Sequence, residues 1–132
     1  MRILDSDHCV AILRARLDLS GRVDADEELA VTAISIGELV HGAMKSARSA
    51  DNIALLDMLL STVTVLPYTE WSGRRFGQLK AKLEQEGGPI GDLDLQIASI
   101  ALDNNAILVT HNQKHFARVA RLAGLNLEDW LA

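Results

Sequence analysis

The stretch "GGPIGDLDLQIASIALDNNAILVTHN", running from Gly87 to Asn112, decides how the chain is read. Gly87, Gly88 and Pro89 break the helix that precedes them. "DLDLQIASIALDN", from Asp92 to Asn104, reads as a helix. "AILVT", from Ala106 to Thr110, reads as a short strand, apolar enough to be buried. The same alternation extends outward in both directions. "RIL" before Asp5 is a strand and "CVAILRARL" (Cys9–Leu17) a helix. A polar, acidic loop follows, then the strand "LAVTAI" (Leu29–Ile34) and the helix "SIGELVHGAMKSA" (Ser35–Ala47). That helix sets Ile36, Leu39, Val40, Ala43 and Ala47 on one face. Further helices are predicted over Asp51–Leu60, Thr69–Gln85 and Lys114–Ala123, with a strand in "TVTVLPY" ending near Pro67. The chain after that last helix reads as a tail ending at Trp130.

Short apolar strands joined by helical crossovers imply an α/β fold, with a mostly parallel central sheet covered by helices on both faces. The length of 132 residues suits a single domain spanning 1–132, and the 48% hydrophobic content suits a packed core. In such sheets ligands bind beyond the carboxyl ends of the strands, near the point where strand order reverses. The residues to weigh are therefore Asp5, Ser6 and Asp7, the turn Ser35–Glu38, and Thr110, His111 and Asn112.

Thirteen Lys and Arg against eighteen Asp and Glu give a net charge of −5, which excludes nucleic-acid binding through bulk positive charge. If the chain handles RNA or DNA, bound cations must offset the repulsion. The single cysteine, Cys9, excludes an intrachain disulfide and a zinc site with paired cysteines. It fits a reducing, cytoplasmic setting. The opening "MRILDSDHCVAIL" does not fit a secretory signal, and no apolar run is long enough for a bilayer, so no membrane is expected. The "GGPIG" run lacks the Lys-Ser/Thr ending of a phosphate-binding loop.

The acids divide unequally. On a helix starting near Asp92, that residue shares a polar stripe with Gln96, Ser99 and Asp103, so it reads as a cap or first-turn acid facing solvent. Asp94 shares its stripe with Ile97, Ala98 and Ala101. A charge there is costly unless paired or bound to metal, so it is either a buried pair, a second cap or a site of chemistry. Asp5 ends an apolar strand where ligands bind, but Asp5, Ser6 and Asp7 are all good helix caps. "SIGE" is a capping-box pattern, and on that ground Glu38 reads as a partner of the Ser35 amide. Asn112 is an ordinary turn or cap residue whose amide oxygen can also hold a cation or its water. His111 and His115 straddle a helix start and read as solvated or capping residues, and His8 and His41 have no partner pattern.

In order, "MRILDSDHC", "ISIGELVHG", "GGPIGDLDLQIASIAL", "AILVTHNQKHFARV" and "LNLEDW" resemble a PIN-domain ribonuclease of the VapC type, the toxin half of bacterial toxin–antitoxin pairs. The resemblance covers essentially the whole chain. It implies a PIN-like three-layer fold. It also implies catalytic roles for Asp5, Glu38, Asp94 and Asn112, with Asp5, Glu38 and Asp94 as ligands of Mg²⁺ or Mn²⁺. Glu38 enters the set only through this likeness. Ser6 stands where a threonine is commoner, and Asn112 where the family often has a fourth acid. The implied substrate is RNA, and the implied partners are a VapB-like antitoxin and a second copy of the chain. Met44, Leu56, Met58 and Trp71 are apolar positions available to a homodimer. Basic residues at Arg74, Arg75, Lys114, Arg118 and Arg121 are candidates for holding flanking phosphates.

Two rival readings remain. A haloacid dehalogenase-type phosphatase would use Asp5 as a covalent nucleophile and Asp7 as general acid. A non-catalytic PIN-like module would bind a partner without cleaving it.

Overall fold

In the computed structural model, which describes residues 1–132, the elements run β1 (Arg2–Leu4), α1 (Ser6–Leu13), β2 (Leu29–Thr32), α2 (Ala33–Lys45), α3 (Ser49–Leu60) and β3 (Thr64–Leu66). They continue with α4 (Glu70–Gln85), α5 (Asp92–Asp103), β4 (Ile107–Val109), α6 (Gln113–Ala123) and β5 (Leu127–Glu128). All strand pairings are parallel, in the order β3-β2-β1-β4-β5. The chain steps outward from β1 through β2 to β3, then crosses back to place β4 on the other side of β1. The reversal of strand order therefore lies between β1 and β4.

Alternation along the strands builds the layers. Ile3, Ala30 and Leu108 point into the larger core, where Leu79, Leu83, Leu95, Ile97, Phe116 and Val119 join them from α4, α5 and α6. Leu4, Val31 and Val109 point the opposite way, onto Cys9, Leu39 and Leu56 of α1, α2 and α3. This is the expected three-layer arrangement. No helix is long and apolar enough to cross a membrane.

Several boundaries differ from the sequence reading, each for a local reason. The first helix begins at Ser6 rather than Cys9, because Asp5 caps it by accepting from the Ser6 amide at 2.8 Å. It stops at Leu13, and Ala15 turns left-handed at φ 55°. The second helix begins at Ala33, because Thr32 is its cap and its Oγ1 accepts from the Ser35 amide at 3.1 Å. On that helix Leu39 is buried, whereas Val40 is exposed and Ala47 lies beyond the end. Only Thr64–Leu66 of "TVTVLPY" pairs, as the edge strand. The tail contains an unforeseen strand, β5, which extends the sheet beyond β4. Leu56 belongs to the core at 1% exposure and is not free for a dimer, whereas Met44, Met58 and Trp71 are largely exposed.

Candidate active site

Asp5 lies at the carboxyl end of β1, at the strand-order reversal. It is 6% exposed, and each of its oxygens is held. Oδ1 accepts from the Ser6 amide, and Oδ2 accepts from the Thr110 hydroxyl, both at 2.8 Å. Thr110 follows β4 and is fully buried, so the two adjacent strand ends are tied through this one carboxylate. Burial pushes the Asp5 carboxyl above its usual range. The Thr110 hydrogen bond opposes that push, while the negative charges of Asp7 and Asp94 add to it.

Glu38 is not a capping residue. With Thr32 as the cap, it falls well beyond the first turn of α2, and the Ser35 amide it was read as holding already donates to Thr32 Oγ1. Its Oε1 is buried and has no hydrogen-bond partner. An orphaned buried acceptor is costly, and more so when charged. Burial raises the Glu38 carboxyl, and the charges of Asp5, Asp94 and Asp7 raise it further. Glu38 and Ser6 also line a cavity of about 300 Å³ between α1, α2 and α3, whose other walls include Val10, Leu13, Leu39 and Leu55.

Asp94 lies in the first turn of α5. The cap of that helix is Gly91, and no side chain caps it, so Asp94 is not a second cap. It reaches out of its own helix instead, placing Oδ2 2.9 Å from His115 Nδ1 on α6. Asp92 is exposed and paired with Lys80 at 3.0 Å. The two aspartates separate as the stripes predict, and Ile97, Ala98 and Ala101 are buried as expected, but two members depart from their stripes. Ser99, assigned to the solvent side, is fully buried, with its hydroxyl donating to the Leu95 carbonyl at 2.7 Å. Asp94, assigned to the buried stripe, is partly open, with a quarter of its side chain exposed.

Asn112 precedes α6 as its cap residue but makes no side-chain cap bond, and its amide Nδ2 lies 2.8 Å from His115 Nδ1. Asp94 lies close enough for its charge to raise both the Asp5 and Glu38 carboxyls, Asp5 raises Glu38 as well, and Asn112 reaches this group through His115. His115, read as solvated or capping, is more than half exposed and also joins Asn112 to Asp94. The signal that could have revealed it is its place three residues after Asn112 on a helix starting at the strand end.

Asp7 and His8 have structural work. Asp7 Oδ1 holds His8 Nδ1 at 2.7 Å, and its Oδ2 accepts from the His111 amide at 3.0 Å. Burial alone would raise the Asp7 carboxyl, but the bonds from His8 and His111 outweigh it and hold the carboxyl below its usual range. A carboxylate engaged at both oxygens and lowered in this way is a poor general acid, which removes the main support of the phosphatase reading. His8 is fully buried, and its Nε2 accepts the Trp130 amide hydrogen at 3.0 Å, pinning the tail against the start of α1. Cys9 is buried, and burial, aided by Asp5 and Asp7, pushes its thiol up to about 12, so it carries no thiolate chemistry. Among the basic residues singled out, Arg74, Arg75 and Arg121 are paired with Glu70, Asp103 and Glu86. Lys114 and Arg118 stand outside such pairs.

No trio of His, Cys, Asp or Glu side chains is spaced to enclose an ion as the chain stands. The donor set nonetheless suits a hard divalent cation. It consists of carboxylate oxygens, one of them orphaned, under mutual repulsion that positive charge would relieve. Mg²⁺ is commonly held by only one or two carboxylates, with water and substrate phosphate completing its shell, so a closed protein cage is not required.

The chain belongs to the PIN domain family, whose model matches residues 2–122. It is 31% identical to a tRNA(fMet)-specific endonuclease VapC from Shigella flexneri, over 97% of this chain and 96% of that protein. It is 33% identical to a ribonuclease VapC2 from Haemophilus influenzae, over 98% of this chain and 97% of that one. Within the PIN family it therefore falls among the VapC ribonucleases. Its fold matches that in the crystal structure of VapBC2 from Rickettsia felis bound to a promoter DNA fragment. The TM-score is 0.87, with 32% identity and 98% of each chain covered.

Proposed function

We propose that this chain, acting as one PIN-like domain, is a Mg²⁺- or Mn²⁺-dependent ribonuclease and the toxin of a toxin–antitoxin pair. The observation that carries the proposal is the meeting of Asp5, Glu38 and Asp94 at the strand-order reversal, with Glu38 Oε1 buried and unpaired. The identities to VapC ribonucleases support RNA as the substrate, and the likeness to VapBC complexes supports a VapB-like antitoxin as the partner. An RNA substrate implies a cytoplasmic location.

Asp5, Glu38 and Asp94 would hold the cation. When bound, it supplies a polarised scissile phosphate, an activated water and a stabilised leaving 3′ oxygen. The protein's own contribution is placement. The Ser6 amide and Thr110 hydroxyl fix the Asp5 carboxylate, so that it need not reorganise when substrate arrives. Lys114 and Arg118, free of ion pairs on α6, are available to RNA phosphates flanking the cleaved bond. Met44, Met58 and Trp71 supply apolar area for a homodimer.

The test is to express the chain alone in a bacterium and map new RNA 5′ ends, then repeat cleavage with purified chain in EDTA, Mg²⁺ and Mn²⁺. New ends in cells, with cleavage lost in chelator and restored by either cation, are the expected result. RNA binding without cleavage at excess cation would support the non-catalytic module instead.

A further inference from the structure

We infer that His115 and Asn112 form a positioning relay for Asp94, with Asn112 acting through His115 and not as a ligand in its own right. The inference rests on the metal-site reading above and concerns how one ligand of that site is aimed.

Asparagine is among the best helix caps, yet Asn112 sits at the cap position of α6 without making a cap bond. Its amide is turned to His115, 2.8 Å from Nδ1. The same Nδ1 lies 2.9 Å from Asp94 Oδ2. A carboxylate only accepts, so Nδ1 must carry its hydrogen and donate it to Asp94. The Asn112 amide then meets that N–H with its oxygen, since the end-for-end orientation of an amide is set by its partners. The result is one N–H shared between the Asn112 amide oxygen and Asp94 Oδ2, so that Asn112 holds the imidazole in the position from which it fixes the carboxylate.

One oxygen of Asp94 is thereby fixed, while Oδ1 has no partner in the chain and remains open to a cation. The imidazole itself is more than half exposed at 56%, so the core does not depend on it. Two polar partners on an otherwise open side chain that contributes little to packing point to an orienting role. Partners that orient a ligating carboxylate are typically worth 10- to 100-fold in metal affinity.

The experiment measures Mn²⁺ binding to the full chain directly, by the paramagnetic resonance signal of free Mn²⁺, alongside melting in EDTA. His115→Ala is expected to weaken Mn²⁺ binding by about 10- to 100-fold and to leave the EDTA melting temperature within about 2 °C of the parent. His115→Asn, whose amide nitrogen occupies the place of Nδ1, should restore most of the affinity. Asn112→Ala should weaken binding less, and should add nothing in the His115→Ala background. Mn²⁺ binding by His115→Ala as tight as the parent's, or tighter, overturns the inference. So does a loss that His115→Asn leaves unrepaired, or additive losses from the two alanine substitutions. A parent chain that binds no Mn²⁺ overturns the metal reading itself, and this relay with it.

Discussion

Glu38→Gln should raise the stability of the metal-free chain while abolishing cleavage. The substitution keeps shape and removes charge. In the parent, Oε1 is buried without a partner, and the carboxyl is raised by that burial and by Asp5, Asp94 and Asp7. A buried unpaired polar group costs about 1–3 kcal/mol, and more when charged. The substituted amide would keep an unpaired polar atom but lose the charge, so the gain is a part of that cost, about 1 kcal/mol. The chain's 132 residues at about 2.1 cal/mol/K each give an unfolding entropy of about 280 cal/mol/K. The melting temperature in EDTA should therefore rise by about 4 °C.

The sign can be checked by pH. A carboxyl raised in the folded state holds its proton more tightly there than when unfolded. The associated stability is fully present below the unfolded values, 4.5 for Glu38 and 3.8 for Asp5, and is lost as pH rises through the raised ones. The parent in EDTA should thus lose stability from acid toward neutral pH through these two groups, and Glu38→Gln should lose less. Melting curves from acid to neutral pH, and RNA cleavage at saturating Mn²⁺, check both halves. A variant that melts no higher than the parent at neutral pH would refute the crowding argument. A variant that cleaves like the parent would remove Glu38 from the machinery.

Asp92→Asn and Asp94→Asn should part company. The first loses only an exposed pair with Lys80, so it should melt within about 2 °C of the parent and keep most activity. The second should lose cleavage by about 100-fold or more without the melting gain of Glu38→Gln, because it weakens the His115 contact. Both are read by the same cleavage and melting assays. Thr110→Val keeps a buried shape but strips the bond to Asp5 Oδ2, so unfolding in urea should show a loss of about 1–3 kcal/mol. That bond opposes the rise of the Asp5 carboxyl, so the Asp5 titration followed by carbon NMR should move higher still. Light scattering of the parent at micromolar concentration should show a dimer, and Met58→Asp should shift it toward monomer, because Met58 is 67% exposed on α3. A parent that is monomeric there would remove the dimer.

The alternation of strand and helix was legible because its main strands are buried on both faces and read as unbroken apolar runs. The strand β5 was not, because two residues, Leu127 and Glu128, carry no period and pair only where β4 offers an edge. The start of α2 was misplaced for a different reason. Thr32 and Ser35 are both hydroxyl residues three apart, and local pattern favours whichever is followed by a glutamate. The sheet decides otherwise, because β2 delivers Thr32 at its end, in extended geometry, ready to cap. That shift of three residues is what frees Glu38 from its capping role, so the physics of the sequence alone had to dismiss a residue that family likeness retained. Ser99 misled the stripe argument because polarity is not exposure: a serine can satisfy its own hydroxyl on the carbonyl one turn back and be fully buried. The link from His115 to Asp94 was illegible because the two lie 21 positions apart, across the crossover into β4.

The three acids differ in what compensates their charge. Asp5 caps α1 and Asp94 lies in the first turn of α5, so each sits at the positive end of a helix dipole. Each also accepts hydrogen bonds, Asp5 from Ser6 and Thr110, and Asp94 from His115. Glu38 has neither. It lies past the first turn of α2, where the dipole contributes little, and one of its oxygens is buried with no donor. Of the three, it is the acid that a bound cation would stabilise most and the one whose neutralisation most relieves the crowding. Asp94→Asn trades a compensated charge for a weaker bond, whereas Glu38→Gln trades an uncompensated charge for none. For that reason the two substitutions, both of which should impair cleavage severely, should act in opposite directions on the stability of the metal-free chain.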